Sequence, residues 1–209
     1  MSKIFNDLLG IIYSTTSNNY QSDETDKSTT YGEITFSGME KIANYIESFH
    51  KKNLIDPINY QFIDLGCGLG KFVIYMALYR LYKSNGIELV KKRYEEAVFA
   101  KSTLKNKNFD NYGNINFINR SFLDPQYLPI IRHCGVVFIS NLCFEDETQQ
   151  KLYEILNREL PKNALVFCSK EISHNKEMIE KLEKIDEFTV PMSWAPSSRI
   201  CVYRKTDSN

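Results

Sequence analysis

The chain has 209 residues, long enough for one sizeable core and short for two ordinary domains. Lys plus Arg and Asp plus Glu number 26 each, so a net charge of zero argues against a general polyanion binder. Five cysteines without a C-x-x-C pair make neither a disulfide framework nor a zinc site, no metal is expected, and no apolar stretch reaches the ~18 residues of a membrane span.

In chain order, Ile4, Phe5, Leu8, Leu9 and Ile12 mark one face of a short helix, and a polar, acidic stretch over 14–30 then reads as a loop or arm. Met39, Ile42, Ala43, Ile46 and Phe49 fall at helical spacing, with Ser37 as the expected cap and Glu40 completing a capping box. From residue 60 strands and helices alternate. The strands are YQFIDL, NGIEL, INFIN, GVVFIS and ALVFCS; helices are expected near 70–82, 90–105 (Val90, Tyr94, Ala97 and Val98 inward), 145–158 and 175–184. FTVPMSW and SRICVYR close the chain as an antiparallel hairpin around a Pro-containing turn. The pattern predicts a Rossmann-like α/β fold, a mostly parallel sheet covered on both faces, with a C-terminal hairpin and a helical N-terminal extension. The arm is assigned to 1–36 and the main domain to 37–209.

Charge is uneven. Lys71, Arg80, Lys83, Lys91, Lys92, Arg93, Lys101, Lys105 and Lys107 face only three acids over 71–107, which marks helix 90–107 as the basic surface. Cys134, Cys143, Cys168 and Cys201 read as small buried hydrophobes in a reducing interior, and no secretory leader is evident. His50, His133 and His174 are unclustered and read as solvated.

The chemistry lies in FIDLGCGLGKF. Gly66, Gly68 and Gly70 follow the first strand of the alternating region, where such sheets bind ligands, but G-x-G-x-G is not the dinucleotide G-x-G-x-x-G. Asp64 two residues earlier would repel a pyrophosphate and suits an ammonium; Glu88, ending the second strand, suits a ribose diol. A ligand with a ribose, a cationic amino-acid end and no phosphate is S-adenosyl-L-methionine. The D-x-G-x-G-x-G and strand-end Glu resemble the class I methyltransferases over about 60–170, which implies a seven-stranded sheet. Asn141 at the end of the fourth strand, with Phe144 after it, favours N-methylation through an amide oxygen that accepts from an amine; Asn141 also reads as a cap for the next helix. Both prolines of the Asn-Pro-Pro-Tyr motif of adenine-amino and glutamine methyltransferases are missing.

Tyr31-Gly32-Glu33 before a helix, SFLDP at 121–125, and Ser193-Trp194 at the hairpin together resemble the non-SET, disruptor-of-telomeric-silencing histone-lysine methyltransferases over about 31–205. The resemblance implies that Tyr31, Glu33, Asp64, Gly66, Gly68, Gly70, Lys71, Glu88, Ser121 and Phe122 contact the cofactor. It implies that Asn141, Phe144 and Trp194 line a lysine channel. It implies a histone or nucleosome substrate, weak DNA contact through helix 90–107, and a nuclear or chromatin-associated location. Lys71 and Ser121 stand where the family usually has Gln and Asp, the last strand offers only Tyr203 as its aromatic, and a basic tail is not seen. The alternatives are a non-histone lysine substrate, with a cytoplasmic location, and a nucleic-acid or small-molecule amine. No general base is expected, because an apolar channel beside a sulfonium disfavours a second cation.

Overall fold

Strand β1 (Gln61–Leu65) lies inside the sheet because it is apolar on both faces; only Gln61 is half-exposed. The computed structural model, which describes residues 10, 32–56, 60–172 and 181–206, places six further strands beside it. These are β2 (Lys83–Glu88), β3 (Ile115–Asn119), β4 (Cys134–Ile139), β5 (Leu165–Cys168), β6 (Leu182–Met192) and β7 (Ala195–Lys205). The helices are α1 (Phe36–Asn53), α2 (Lys71–Tyr79), α3 (Lys91–Asn106), a single turn α4 (Leu128–Ile131) and α5 (Asp146–Glu159). The sheet order is β3-β2-β1-β4-β5-β7-β6; β1 to β5 are parallel, and β7 runs antiparallel to both β5 and β6. The expected mostly parallel seven-stranded fold with a C-terminal hairpin is therefore present.

The period of two along each strand divides the core. Phe62, Val136, Phe167 and Val202 pack with Ile42 and Ile46 of α1, Phe72 and Met76 of α2, and Ala97 and Leu104 of α3. Ile63, Val137, Val166 and Cys201 pack on the other face with Leu152 and Leu156 of α5 and Ile131 of α4. Each fully buried side chain of this size contributes about 1.5–3 kcal/mol. Strand order reverses at β1, with β2 and β3 on one side and β4 and β5 on the other. A crevice forms at the carboxyl ends there.

Several local expectations are corrected. Thr35 caps α1, its hydroxyl accepting from the Gly38 amide at 3.3 Å, so Ser37 lies inside the helix and the capping box is not formed. Helix α3 buries Arg93, Ala97, Ala100 and Leu104, a stripe rotated from the expected one, and leaves Val98 38 % exposed. Pro191 lies within β6 at a register shift on the sheet edge, where its missing N–H is harmless; the hairpin turn is Ser193-Trp194. Residues 182–184 of the expected last helix belong to β6, and residues 173–180 lie outside the described residues, as does the helix expected over 4–12 apart from residue 10. His50 is buried, its Nδ1 facing the Tyr82 hydroxyl at 3.4 Å, and burial lowers its pKa. Cys143 is exposed, whereas Cys134, Cys168 and Cys201 are buried. Among the described residues no helix is long and apolar enough to cross a membrane.

Candidate functional site

The turn after β1 requires its glycines. Gly66, Gly68 and Gly70 have φ of 89°, 55° and 77°, the left-handed region that L side chains rarely adopt. A Cβ on Gly70 would also stand 2.4 Å from Phe117 Cζ, which β3 places beneath the start of α2. The amides of Gly66 and Cys67 donate to the Ile87 carbonyl at 2.8 and 3.1 Å, tying the turn to β2. Glu88 completes the tie: its Oε2 accepts from the Gly68 amide and its Oε1 from the Val90 amide, both at 2.8 Å. Each carboxylate oxygen keeps a second lone pair for a ligand.

A cavity of about 760 Å³ opens above this turn. Asp64 and Glu88 line it, each 5 % exposed. Burial, and after it the charge of Glu88, pushes the Asp64 carboxyl well above the usual carboxylate range. A ligand cation would relieve that cost, so the donor set fits a molecule with an ammonium near Asp64 and hydroxyls near Glu88. Phe122 and Phe144 stack on each other with centroids 5.3 Å apart, and both line the cavity as an aromatic wall. Ser121 also lines it, its hydroxyl accepting from the Leu123 amide at 3.2 Å.

The remaining wall comes from residues distant in sequence. Residues 32–35 run beside the hairpin turn. The Glu33 amide donates to Ser193 Oγ at 2.9 Å, the Ser193 amide to the Glu33 carbonyl at 2.7 Å, and the Thr35 amide to the Pro191 carbonyl at 3.2 Å. Glu33 forms an ion pair with Lys71 at the start of α2, so the segment is held from both sides. Gly32 lies against the Trp194 indole. Gly32, Glu33, Lys71 and Trp194 line the cavity, and Trp194 remains 45 % exposed at its rim.

The structure thus brings Glu33, Asp64, Gly66, Gly68, Lys71, Glu88, Ser121, Phe122, Phe144 and Trp194 to one cavity. Gly70 supports it from below as the N-cap of α2, and Tyr31 lies outside the described residues. Asn141 is not brought to it. That side chain is fully buried: its Nδ2 donates to Gln149 Oε1 at 2.9 Å and the Tyr153 hydroxyl at 2.6 Å, while its Oδ1 accepts from the Lys170 amide at 2.9 Å. Nor does it cap α5, whose N-cap is Glu145. Strand alternation carries the signal that locates it: Phe138 and Ser140 face the cavity, so Asn141 follows Ile139 to the other side. Tyr203 is also buried away from the cavity, its hydroxyl accepting from the Ile172 amide at 3.1 Å.

Sequence reasoning missed Arg93. It counts as surface charge by composition, yet it is 9 % exposed and lines the cavity. Its position on the buried stripe with Ala97, Ala100 and Leu104 is the available signal, overlooked because a cation was not expected there.

Comparisons with known proteins agree with this geometry. The chain is 29 % identical over 157 residues to a Caenorhabditis elegans histone-lysine N-methyltransferase, H3 lysine-79 specific. That alignment covers 73 % of this chain and 16 % of the relative, so the chain spans about a sixth of the relative's length. A protein of Listeria monocytogenes assigned to the class I S-adenosylmethionine-dependent methyltransferases superposes with a TM-score of 0.67 at 12 % identity, covering 98 % of this chain and 68 % of that one. An RNA methyltransferase of Salinibacter ruber, solved with S-adenosyl-L-homocysteine, gives 0.54 at 15 % identity, covering 79 % and 93 %. These likenesses show the fold. The sequence model of one family, described as "Histone methylation protein DOT1", matches residues 11–193. With the glycine turn, the carboxylate pair and the Gly32–Trp194 wall in one cavity, the chain belongs to the DOT1 histone methylation family.

Proposed function

We propose that the chain is an S-adenosyl-L-methionine-dependent protein-lysine N-methyltransferase whose substrate is a histone within chromatin. The observation that carries this reading is the single cavity joining the buried carboxylates of Asp64 and Glu88 to the exposed indole of Trp194. Family membership and the likeness to a histone H3 lysine-79 methyltransferase support the substrate class. The cofactor, when bound, supplies a methyl group on a positive sulfur.

Each residue then has a task. Glu88 accepts from the ribose hydroxyls, Asp64 and Glu33 offer carboxylates to the amino-acid end, and Lys71 offers a cation to its carboxylate. Phe122 and Phe144 hold the adenosine in an apolar slot. Trp194 lines the entry for the lysine stem and excludes water. The positive sulfur beside an apolar wall disfavours a protonated amine, so the lone pair is freed without a protein base.

Nucleosome contact is assigned to the exposed lysines of α3 and the turn after it: Lys91, Lys92, Lys105 and Lys107. Arg93 faces the cavity and leaves that surface. Incubation with tritiated cofactor and, separately, nucleosomes, free histones, DNA and RNA tests the reading. Label on a histone lysine is expected; label confined to nucleic acid, or absent from all four, overturns the histone assignment.

A further inference from the structure

From the layout of the cavity we infer that Arg93 reads the base of the cofactor, its guanidinium donating to a ring nitrogen; this rests on the S-adenosyl-L-methionine reading above. The sheet order sets the direction in which the cavity runs. Asp64 lies on β1, Glu88 ends the neighbouring β2, and Ser121 follows β3 at the sheet edge. With the amino-acid end at Asp64 and the ribose at Glu88, the base end of the cavity is the β3 side. Asn119 fastens that end. Its Nδ2 donates to the Glu88 and Leu89 carbonyls at 2.8 and 3.1 Å, tying β3 to the turn that leads into α3.

Leu89, Val90, Arg93, Ser121, Phe122 and Leu123 line the cavity at this end, and among these described residues Arg93 and Ser121 have the polar side chains. Arg93 stands in the first turn of α3, buried on the stripe it shares with Ala97, Ala100 and Leu104. A buried cation is costly unless acceptors surround it, so its place in a ligand cavity calls for an acceptor on the ligand. A guanidinium donates and never accepts; it fits a base edge that carries a lone pair and rejects one that carries an N–H. The base of this cofactor is a purine with an exocyclic amine, a donor, and three ring nitrogens that accept. The ring, and not the amine, therefore meets Arg93. Ser121 is the weaker reader, because its oxygen already accepts from the Leu123 amide and a single hydroxyl rotates freely. The planar fork of Arg93, on a stem held within the buried face of α3, fixes the direction of its donors.

The test is calorimetry of S-adenosyl-L-homocysteine and its 1-deaza, 3-deaza and 7-deaza forms, in each of which one ring nitrogen becomes C–H. Wild type is expected to bind one of these forms about tenfold or more weakly than the parent, the loss of one charge-assisted hydrogen bond. Arg93→Met should bind the parent about tenfold more weakly than wild type does, and should bind parent and deaza form within about twofold of each other. Arg93→Lys keeps the buried charge and stem and so serves where Arg93→Met does not fold. Lacking the planar fork, it should lower the discrimination by about threefold or more. Equal affinity of wild type for all four ligands overturns the assignment. Undiminished discrimination in the variants overturns it as well and gives the base to Ser121. If wild type binds none of the four, the cofactor reading fails and takes this one with it; binding of the parent without discrimination overturns this one alone.

Discussion

The indole of Trp194 packs on the bare α-carbon of Gly32, so closely that a Cβ at position 32 would lie 2.2 Å from Trp194 Cε3. Residues 162 positions apart thereby form one wall of the cavity, with the Glu33–Ser193 hydrogen bonds holding them in register. Because Trp194 is the only tryptophan of the chain, its fluorescence reports this wall directly. Gly32→Ala is expected to swing the half-exposed indole toward solvent and red-shift its emission. Stability changes by less than about 1 kcal/mol, since the ring can move outward. Methylation should fall roughly tenfold or more, a displaced wall misaligning the lysine stem. An unchanged emission spectrum with an unchanged rate would sink this account.

Asp64 carries a pH dependence of definite sign. Its folded-state pKa is raised above the ordinary 3.8, first by burial and then by Glu88. The protonated carboxyl therefore favours folding below the unfolded value, and this contribution is lost as pH rises through the folded value. Ligand binding runs the opposite way, because a cationic amino group prefers the ionised carboxylate. Cofactor affinity is expected to rise with pH across that window, and Asp64→Asn should weaken binding and flatten the rise. Isothermal titration at a series of pH values checks both effects. An affinity that falls over the same range contradicts the placement of the ligand cation at Asp64.

Asn141→Ala is expected to act through stability. It strips partners from Gln149, Tyr153 and the Lys170 amide at the ends of β4 and β5. Leaving such groups buried and unsatisfied costs about 1–3 kcal/mol, or about 2–4 °C of melting temperature for each kcal/mol in a chain of this size. Thermal melts should show that loss together with reduced activity. Lost activity at an unchanged midpoint would return Asn141 to a direct part in the chemistry.

Charge on α3 should separate docking from chemistry. Lys91→Glu with Lys92→Glu reverses two exposed charges and should cut activity on nucleosomes, most strongly at low salt, while activity on a short peptide stays near wild type. Arg93→Glu places an acid in the cavity and should lower activity on both substrates. Rates measured across a salt series distinguish the two. Equal loss for both substrates in the double variant would mean that these lysines do not dock the particle.

Much of this protein was legible in the sequence because its signals are local. Three alternate glycines after a strand permit the positive φ of a tight turn, apolar runs bounded by turn residues specify strands, and the carboxylates of Asp64 and Glu88 follow directly from strand ends. Alternation with helices then leaves few sheet topologies. What sequence could not decide is which side of an element faces what. Arg93 and the exposed lysines share one helix, and only its rotation against β2 and β3 sends Arg93 inward. Ser140 and Asn141 are adjacent just past β4, yet Ser140 lines the cavity and Asn141 is fully buried away from it. The closure of the wall by Gly32, Glu33, Ser193 and Trp194 depends on a contact across most of the chain, and no local periodicity encodes it. Local backbone preference fixes elements; the packing of one element on another decides which side chains share a cavity.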